Sequence, residues 1–341
     1  MTLEVLGISV LWIFLFGYVI VASIDFGAGF FNAYSLVVGK NHILTNIIQR
    51  YLSPVWEVTN VFLVFFFVGI VGFFPQTAFY YGTILLVPVS ISLVLLAIRG
   101  SYYAFESYGS RGHKGYALTY GIAGLLIPAS FSVVFAIAGG GFVDMVNGQP
   151  VLDYWALYTS PYAWSIVVLS IAAVLYISAV FLTWYAHKAK DTKATILMRK
   201  YALIWAAPLM VSALGIIYEM KVINPESYDN MVKLWWLFAI SAILFVITVV
   251  LLWMKKNYGL AVGLLIAQFA FAFFAYGIAQ YPYLLYPYLT IYDSFTSTQM
   301  AIALVIVFIL GLCLLIPSLY LLLKLFLFNK DYLTGKKDNH A

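Results

Sequence analysis

The stretch LWWLFAISAILFVITVVLLWM-KKN-YGLAVGLLIAQFAFAFFAYGIA, residues 234–279, decides the fold. Two apolar runs, 234–254 and 258–279, flank Lys255-Lys256-Asn257, and neither run carries a charge. Crossing the hydrocarbon core of a bilayer takes roughly 20 mostly apolar residues. Each run meets that length. Inside lipid there is no water to satisfy a backbone amide, so such a run must be helical. Three polar residues between the runs leave room only for a tight turn. The stretch therefore predicts a helical hairpin across a membrane.

The rest of the chain carries the same pattern. Of its 341 residues, 64% are hydrophobic and 9% are charged, with a mean hydropathy of +0.98. A soluble domain averages about 45–50% apolar and about 25% charged residues. This composition could not clothe a water-soluble surface. Aromatics make up 18%, with 27 Tyr and 9 Trp, residues that favour the two membrane interfaces. Cys313 is the single cysteine, which excludes an intrachain disulfide and a cysteine-cluster metal site.

Nine runs are long and apolar enough to span: about 3–24, 54–74, 78–98, 119–139, 162–184, 201–218, 234–254, 258–279 and 299–326. The first lacks a basic leader and a small-x-small cleavage site, and is expected to be a permanent helix. Pro75-Gln76-Thr77 predicts a second tight hairpin between spans two and three. Pro88, Pro128, Pro208 and Pro317 fall within spans and read as kinks whose freed carbonyls neighbours satisfy. The outer loops, about 140–160 and 280–298, are long enough to cap the helices. Gly139-Gly140-Gly141 reads as a helix stop. The run Tyr281–Tyr288, with Pro282 and Pro287, reads as an aromatic interfacial anchor.

With nine spans, 16 of the 18 Lys and Arg fall on the side of the C-terminus, and only Lys221 and Lys233 fall opposite. Positive charge marks the cytoplasmic side. The expected topology has the N-terminus outside and the C-terminus in the cytoplasm.

Few ionisable residues lie at membrane depth, where they are costly and usually functional. Asp25, in Ile24-Asp25-Phe26-Gly27-Ala28-Gly29-Phe30, falls at the expected cytoplasmic end of the first span. A carboxylate there opposes the helix dipole. It reads either as an interfacial acid among water and headgroups or as a proton or cation site. The glycines allow a sharp turn or a close backbone approach. Glu57 follows Ser53-Pro54, which reads as N-cap and N1, so it sits in a first turn that favours an acid. Asn60, three residues on, shares its face, and the pair suits either helix capping or a relay entrance. Arg99 and Glu106 follow the third span at the same end. Gln268 is mid-span and is expected to make an interhelical hydrogen bond.

All four histidines, His42, His113, His187 and His340, fall in loops or the tail. A membrane haem protein normally takes at least one axial histidine from a span. Met210 and Cys313 lie within spans but read as core filler. The chain is expected to ligate no haem, no copper and no non-haem iron. It carries no Walker loop, zincin motif or nucleophile elbow.

These motifs resemble the second subunit of cytochrome bd-type quinol oxidases. The resemblance rests on Asp25-Phe26-Gly27-Ala28-Gly29 and on Ser53-Pro54-Val55-Trp56-Glu57 with Asn60 and Pro75. It rests further on Arg99 with Phe105-Glu106, and on Tyr281–Pro287 with Ser297-Thr298-Gln299. It implies an all-α polytopic fold of nine helices in two four-helix bundles plus a peripheral helix. The first bundle would occupy 1–150, and the second bundle with the last helix 151–341. It implies a larger subunit I carrying haem b and haem d, with room for a small single-helix third subunit. The complex would oxidise a quinol and reduce O2 to water in a bacterial cell membrane. No catalytic centre would lie on this chain. Asp25, Glu57, Glu106 and Asn60 would line a proton path from the cytoplasm, supported by Trp56 and Arg99. Two other readings remain at this stage: a secondary transporter or ion carrier, and a purely scaffolding subunit. No internal repeat of the kind common in transporters is evident.

Overall fold

A computed structural model describes residues 2–39, 59–108, 114–293 and 295–322, with the single residues Ile48 and Lys324. The helices are α1 (Leu3–Val37), α2 (Thr59–Phe73), α3 (Pro75–Ile84), α4 (Leu86–Tyr108) and α5 (Lys114–Gly139). After them come α6 (Tyr154–Thr159), α7 (Pro161–Lys188), α8 (Thr192–Ile223) and α9 (Pro225–Lys233). The last three are α10 (Trp235–Trp253), α11 (Tyr258–Gln280) and α12 (Thr298–Leu322). Two small antiparallel hairpins, β1 (Val143–Val146) with β2 (Gln149–Leu152) and β3 (Tyr283–Leu285) with β4 (Leu289–Thr290), complete the described chain.

Seven helices are long and apolar enough to cross a membrane, or eight if α2 and α3 count as one bent span. The runs read from sequence as spans four to eight each fall on one helix, as does the described part of the ninth, which ends at Leu322. Their ends extend where polar residues cap them. Thus α8 starts nine residues before the expected position 201, because the Asp191 carboxylate accepts from Ala194 N at 3.0 Å. Ser160 with Pro161 starts α7 in the same manner.

Two expectations are corrected. The first helix does not end near residue 24. It runs to Val37, so Asp25 and its glycines are helix interior. Nor does Pro75-Gln76-Thr77 close a tight hairpin. Pro75 is N1 of α3, which leaves α2 at 117°. The expected span 78–98 is itself divided at Leu85 between α3 and α4. Pro88 has no amide to donate to the Ile84 carbonyl, and the break falls there. The start of the second expected span, 54–58, lies outside the described residues.

Helix α7 is central. Buried residues make up 72% of its apolar window, against 17–44% in the other long helices. It packs on α1, α5, α8 and α11, while α1 also packs on α4's neighbour α5 and on α12. Small residues permit these approaches. A Cβ on Gly27 would stand 2.8 Å from the Val174 carbonyl oxygen of α7. Phe14, Phe65 and Phe308 join α1, α2 and α12 by ring contacts of 4.9–5.5 Å.

One end of the molecule is knitted shut. Gly140 and Gly141, at φ +99° and +86°, turn the chain out of α5. The Ala138 carbonyl accepts from Gln280 Nε2 at 2.8 Å and from Tyr286 N at 3.1 Å. The Gly139 carbonyl accepts from Asn224 Nδ2 at 3.0 Å, and the Leu284 carbonyl accepts from the Tyr81 hydroxyl at 2.6 Å. The two loops read as caps do cover the helices, and the Tyr281–Tyr288 run is part of that cover.

Candidate functional site

Within the helices, α1, α4 and α5 meet around one ion pair. Arg99 of α4 donates from Nη2 to Asp25 Oδ2 at 3.0 Å and to the Asp25 carbonyl at 2.9 Å. Its Nη1 donates to the Tyr120 carbonyl on α5 at 2.9 Å. The Tyr120 hydroxyl donates to Asp25 Oδ1 at 3.2 Å. The guanidinium lies 3.6 Å from the Tyr120 ring centroid and 4.9 Å from that of Phe26, a cation–π arrangement. Arg99 is 0% and Asp25 1% exposed. Two buried charges are tolerable only when they face each other and their remaining valences are bonded. Here both carboxylate oxygens have donors. On the guanidinium, Nη1 and Nη2 are bonded, and Nε alone has no hydrogen-bond partner.

The local sequence makes this slot. Gly29 and Gly124 flank the guanidinium: a Cβ on Gly29 would stand 3.2 Å from Arg99 Nη1, and one on Gly124 2.9 Å from it. The close-approach reading of the Asp25–Gly29 segment therefore holds, and the sharp-turn reading does not. The reading of Asp25 as an interfacial acid in water is also corrected, because it is buried and paired. Tyr18, seven residues before Asp25 and so on the same face of α1, has a buried hydroxyl without a hydrogen-bond partner.

The other expected site residues stand as follows. Asn60, half-buried, is the second described residue of α2. Phe62 lies against Gly17 and Phe73 against Gly7, so α2 runs antiparallel to α1. Asn60 is therefore at the level of about residue 19 of α1, roughly 9 Å along the axis from Asp25. Glu106 is on α4, seven residues and about 10 Å beyond Arg99. Trp56 and Glu57 lie outside the described residues. Sequence reasoning had Asp25 and Arg99 but did not join them, and it missed Tyr120, Phe26 and Gly124. The available signal was an acid and an arginine at the same end of adjacent spans, with a Gly121-x-x-Gly124 step on a third. Gln268 is corrected in detail: its main-chain carbonyl, not its side chain, accepts the interhelical bond from Ser241 Oγ at 2.9 Å, and its Oε1 has no partner.

The Tyr162 hydroxyl donates to Met220 Sδ at 3.6 Å, His187 packs edge-on against Tyr258, and Cys313 is on an exposed face of α12. Among the described residues no three His, Cys, Asp or Glu converge as a metal site would need.

Fold and site together define an all-α, multi-pass membrane protein with a charged junction inside its helices. The family model for cytochrome bd terminal oxidase subunit II matches residues 3–326. A putative cytochrome bd menaquinol oxidase subunit II of Bacillus subtilis (strain 168) is 34% identical over 338 residues, covering 96% of each chain. A chain in the structure of bd oxidase from Geobacillus thermodenitrificans is 64% identical, with a TM-score of 0.85, covering 97% of this chain and all of that one. The chain belongs to the cytochrome bd terminal oxidase subunit II family, and is a subunit of a respiratory bd-type quinol oxidase.

Proposed function

We propose that this chain is the haem-free subunit II of a quinol:O2 oxidoreductase, and that its Asp25 region belongs to a proton route from the cytoplasm. The haem b and haem d groups and the quinol chemistry are assigned to a larger subunit I, and a small single-helix subunit completes the complex. Family membership takes the place of the transporter reading. No catalytic centre is assigned to this chain, whose four histidines all fall outside the apolar runs. The concentration of 16 of 18 basic residues on one side supports an outside N-terminus and a cytoplasmic C-terminus in a bacterial cell membrane. Among the described residues seven helices are long enough to span; counting the bent pair and the shorter apolar α4 as one span each would make the nine of this reading. The division into two bundles near residue 150 rests on the family resemblance; α7 packs on α1 and α5 of the first half as well as on α8 and α11 of the second.

The observation that carries the proton reading is the buried carboxylate of Asp25, held between a guanidinium and the Tyr120 hydroxyl. On this route Glu57 and Glu106 gather protons, Asp25 receives them, Asn60 lines the path on α2, and Trp56 and Arg99 support it. The test is Asp25→Asn and Glu57→Gln in the assembled oxidase, with O2 consumption and charge translocation as readouts. The reading requires slowed turnover in a complex that still assembles. Parent rates in both variants refute it.

A second reading is favoured by the bonds of Arg99 to two main-chain carbonyls on different helices. They make the ion pair a clamp joining α1, α4 and α5. That role predicts loss of assembly in Asp25→Asn and Arg99→Gln, whatever the rate of any enzyme that survives.

A further inference from the structure

We propose that the α7–α8 and α10–α11 turns together form a binding site for the headgroup of an anionic phospholipid. Lys188, Lys190, Lys193 and Lys200 on the first turn and its helix flanks, and Lys255 and Lys256 on the second, are all exposed. Asp191 is the one carboxylate of these two turns, and it is engaged by Ala194 N as the cap of α8. The turns lie side by side. His187 packs on Tyr258 at 5.0 Å between ring centroids, and Arg199 Nη1 donates to the Leu252 carbonyl at 3.2 Å. A Cβ on Gly259 would stand 3.3 Å from Trp184 Nε1. The cations therefore form one patch, not two.

The backbone shows that lysine is not there for the turn's own sake. Both turns end their helices with the same bonds: Asp191 N to Ala186 O and Lys190 N to His187 O in one, Lys256 N to Leu251 O and Lys255 N to Leu252 O in the other. This is the Schellman pattern, whose left-handed residue is usually glycine. Here Lys190 and Lys255 hold that position at φ +60° and +58°. A side chain costs stability at that geometry, and two matching exceptions that both supply ammonium groups point to a use for the charge.

A lipid, not a soluble anion, fits the rim of the patch. Trp253, Met254, Leu260 and Ile196 are 73%, 51%, 54% and 56% exposed around it. These would meet acyl chains while the ammonium groups meet the phosphate. Lys188 Nζ lies 4.9 Å from the Trp184 ring centroid, which places one cation at the aromatic level of the interface.

The test uses the assembled oxidase, delipidated in detergent and titrated with phosphatidylglycerol or phosphatidylcholine, with retained lipid read by native mass spectrometry. The parent should retain phosphatidylglycerol in preference. Lys190→Gln/Lys255→Gln/Lys256→Gln should weaken that binding about a hundredfold, at about fivefold per lysine, while Lys221→Gln/Lys233→Gln at the other end should not. Equal binding of both lipids, saturable binding of inorganic phosphate with the same affinity, or unchanged binding in the triple variant would each overturn the proposal. Should the triple variant not assemble, Lys190→Gly/Lys255→Gly decides. It restores the favoured residue at both turns, so it should be as stable as the parent or more so, yet bind phosphatidylglycerol roughly 25-fold less tightly. Parent-like lipid binding in that variant also overturns the proposal.

Discussion

Replacing Arg99 with methionine isolates what the buried ion pair contributes. The substitution keeps most of the side-chain volume and removes the charge and its donors. The Asp25 and Tyr120 carbonyls lie within helices, where i+4 amides also serve them, so the damage concentrates on the Asp25 carboxylate. That group would keep only the Tyr120 hydroxyl at 3.2 Å. Breaking a buried pair by removing one partner costs about 3–5 kcal/mol, because the other charge is left uncompensated. The Tyr120 hydroxyl still donates to the carboxylate, so the lower end, about 3 kcal/mol, is the expected loss. The double variant Asp25→Leu/Arg99→Met removes both charges and should return to within about 1–2 kcal/mol of the parent. The assay is equilibrium denaturation of the purified complex in mixed micelles, followed by O2 consumption of each variant. A single variant within about 1 kcal/mol of the parent would refute the energetic argument. A stable double variant that consumes O2 at the parent rate would remove Asp25 from the proton route and leave the clamp.

Gly27→Ala should lower stability by about 1–3 kcal/mol, since its Cβ would meet Ser178 and the Val174 carbonyl of α7 and the helices must separate to admit it; the same denaturation assay checks this. Gly124→Ala should do comparable harm and also disturb the guanidinium, so its loss should shrink when combined with Arg99→Met. Asn224→Ala removes both the cap on Ser227 N at 3.0 Å and the bond to the Gly139 carbonyl, an expected loss of about 2–3 kcal/mol. Limited proteolysis should then cut the 140–160 and 280–298 loops faster than in the parent.

The apolar runs from residue 119 onward were legible because length and hydropathy leave a membrane segment few alternatives. The stops were legible where backbone chemistry demands them, as at Gly140 and Gly141 with their positive φ. The bend between α2 and α3 was not, because proline at 75 serves equally as the end of a hairpin or as the first residue of a new helix. The ion pair was not legible either. Its partners lie 74 residues apart, and nothing local to Arg99 distinguishes a buried guanidinium from an ordinary cytoplasmic one. The Asp25–Gly29 segment misled for a physical reason. An acid beside glycines in water would end a helix, whereas glycines in a membrane helix are contact surfaces for its neighbours.

The length of α1 explains how such a charge is accommodated. Thirty-five residues make a helix about 52 Å long, against a hydrocarbon core of about 30 Å. Asp25 lies about 33 Å from the helix start. If the first turn sits at the outer boundary, Asp25 falls where α1 leaves the hydrocarbon on the far side, and the turns beyond it project past the lipid. The ion pair is thus buried by protein and not by lipid, with Phe26, Tyr120 and the flanking glycines closing the slot. At that depth protein shields the carboxylate from bulk water, as its 1% exposure shows. A clamp needs the shielding alone. The proton-transfer role proposed for Asp25 needs a short path to water in addition, and the Asp25→Leu/Arg99→Met variant separates the two.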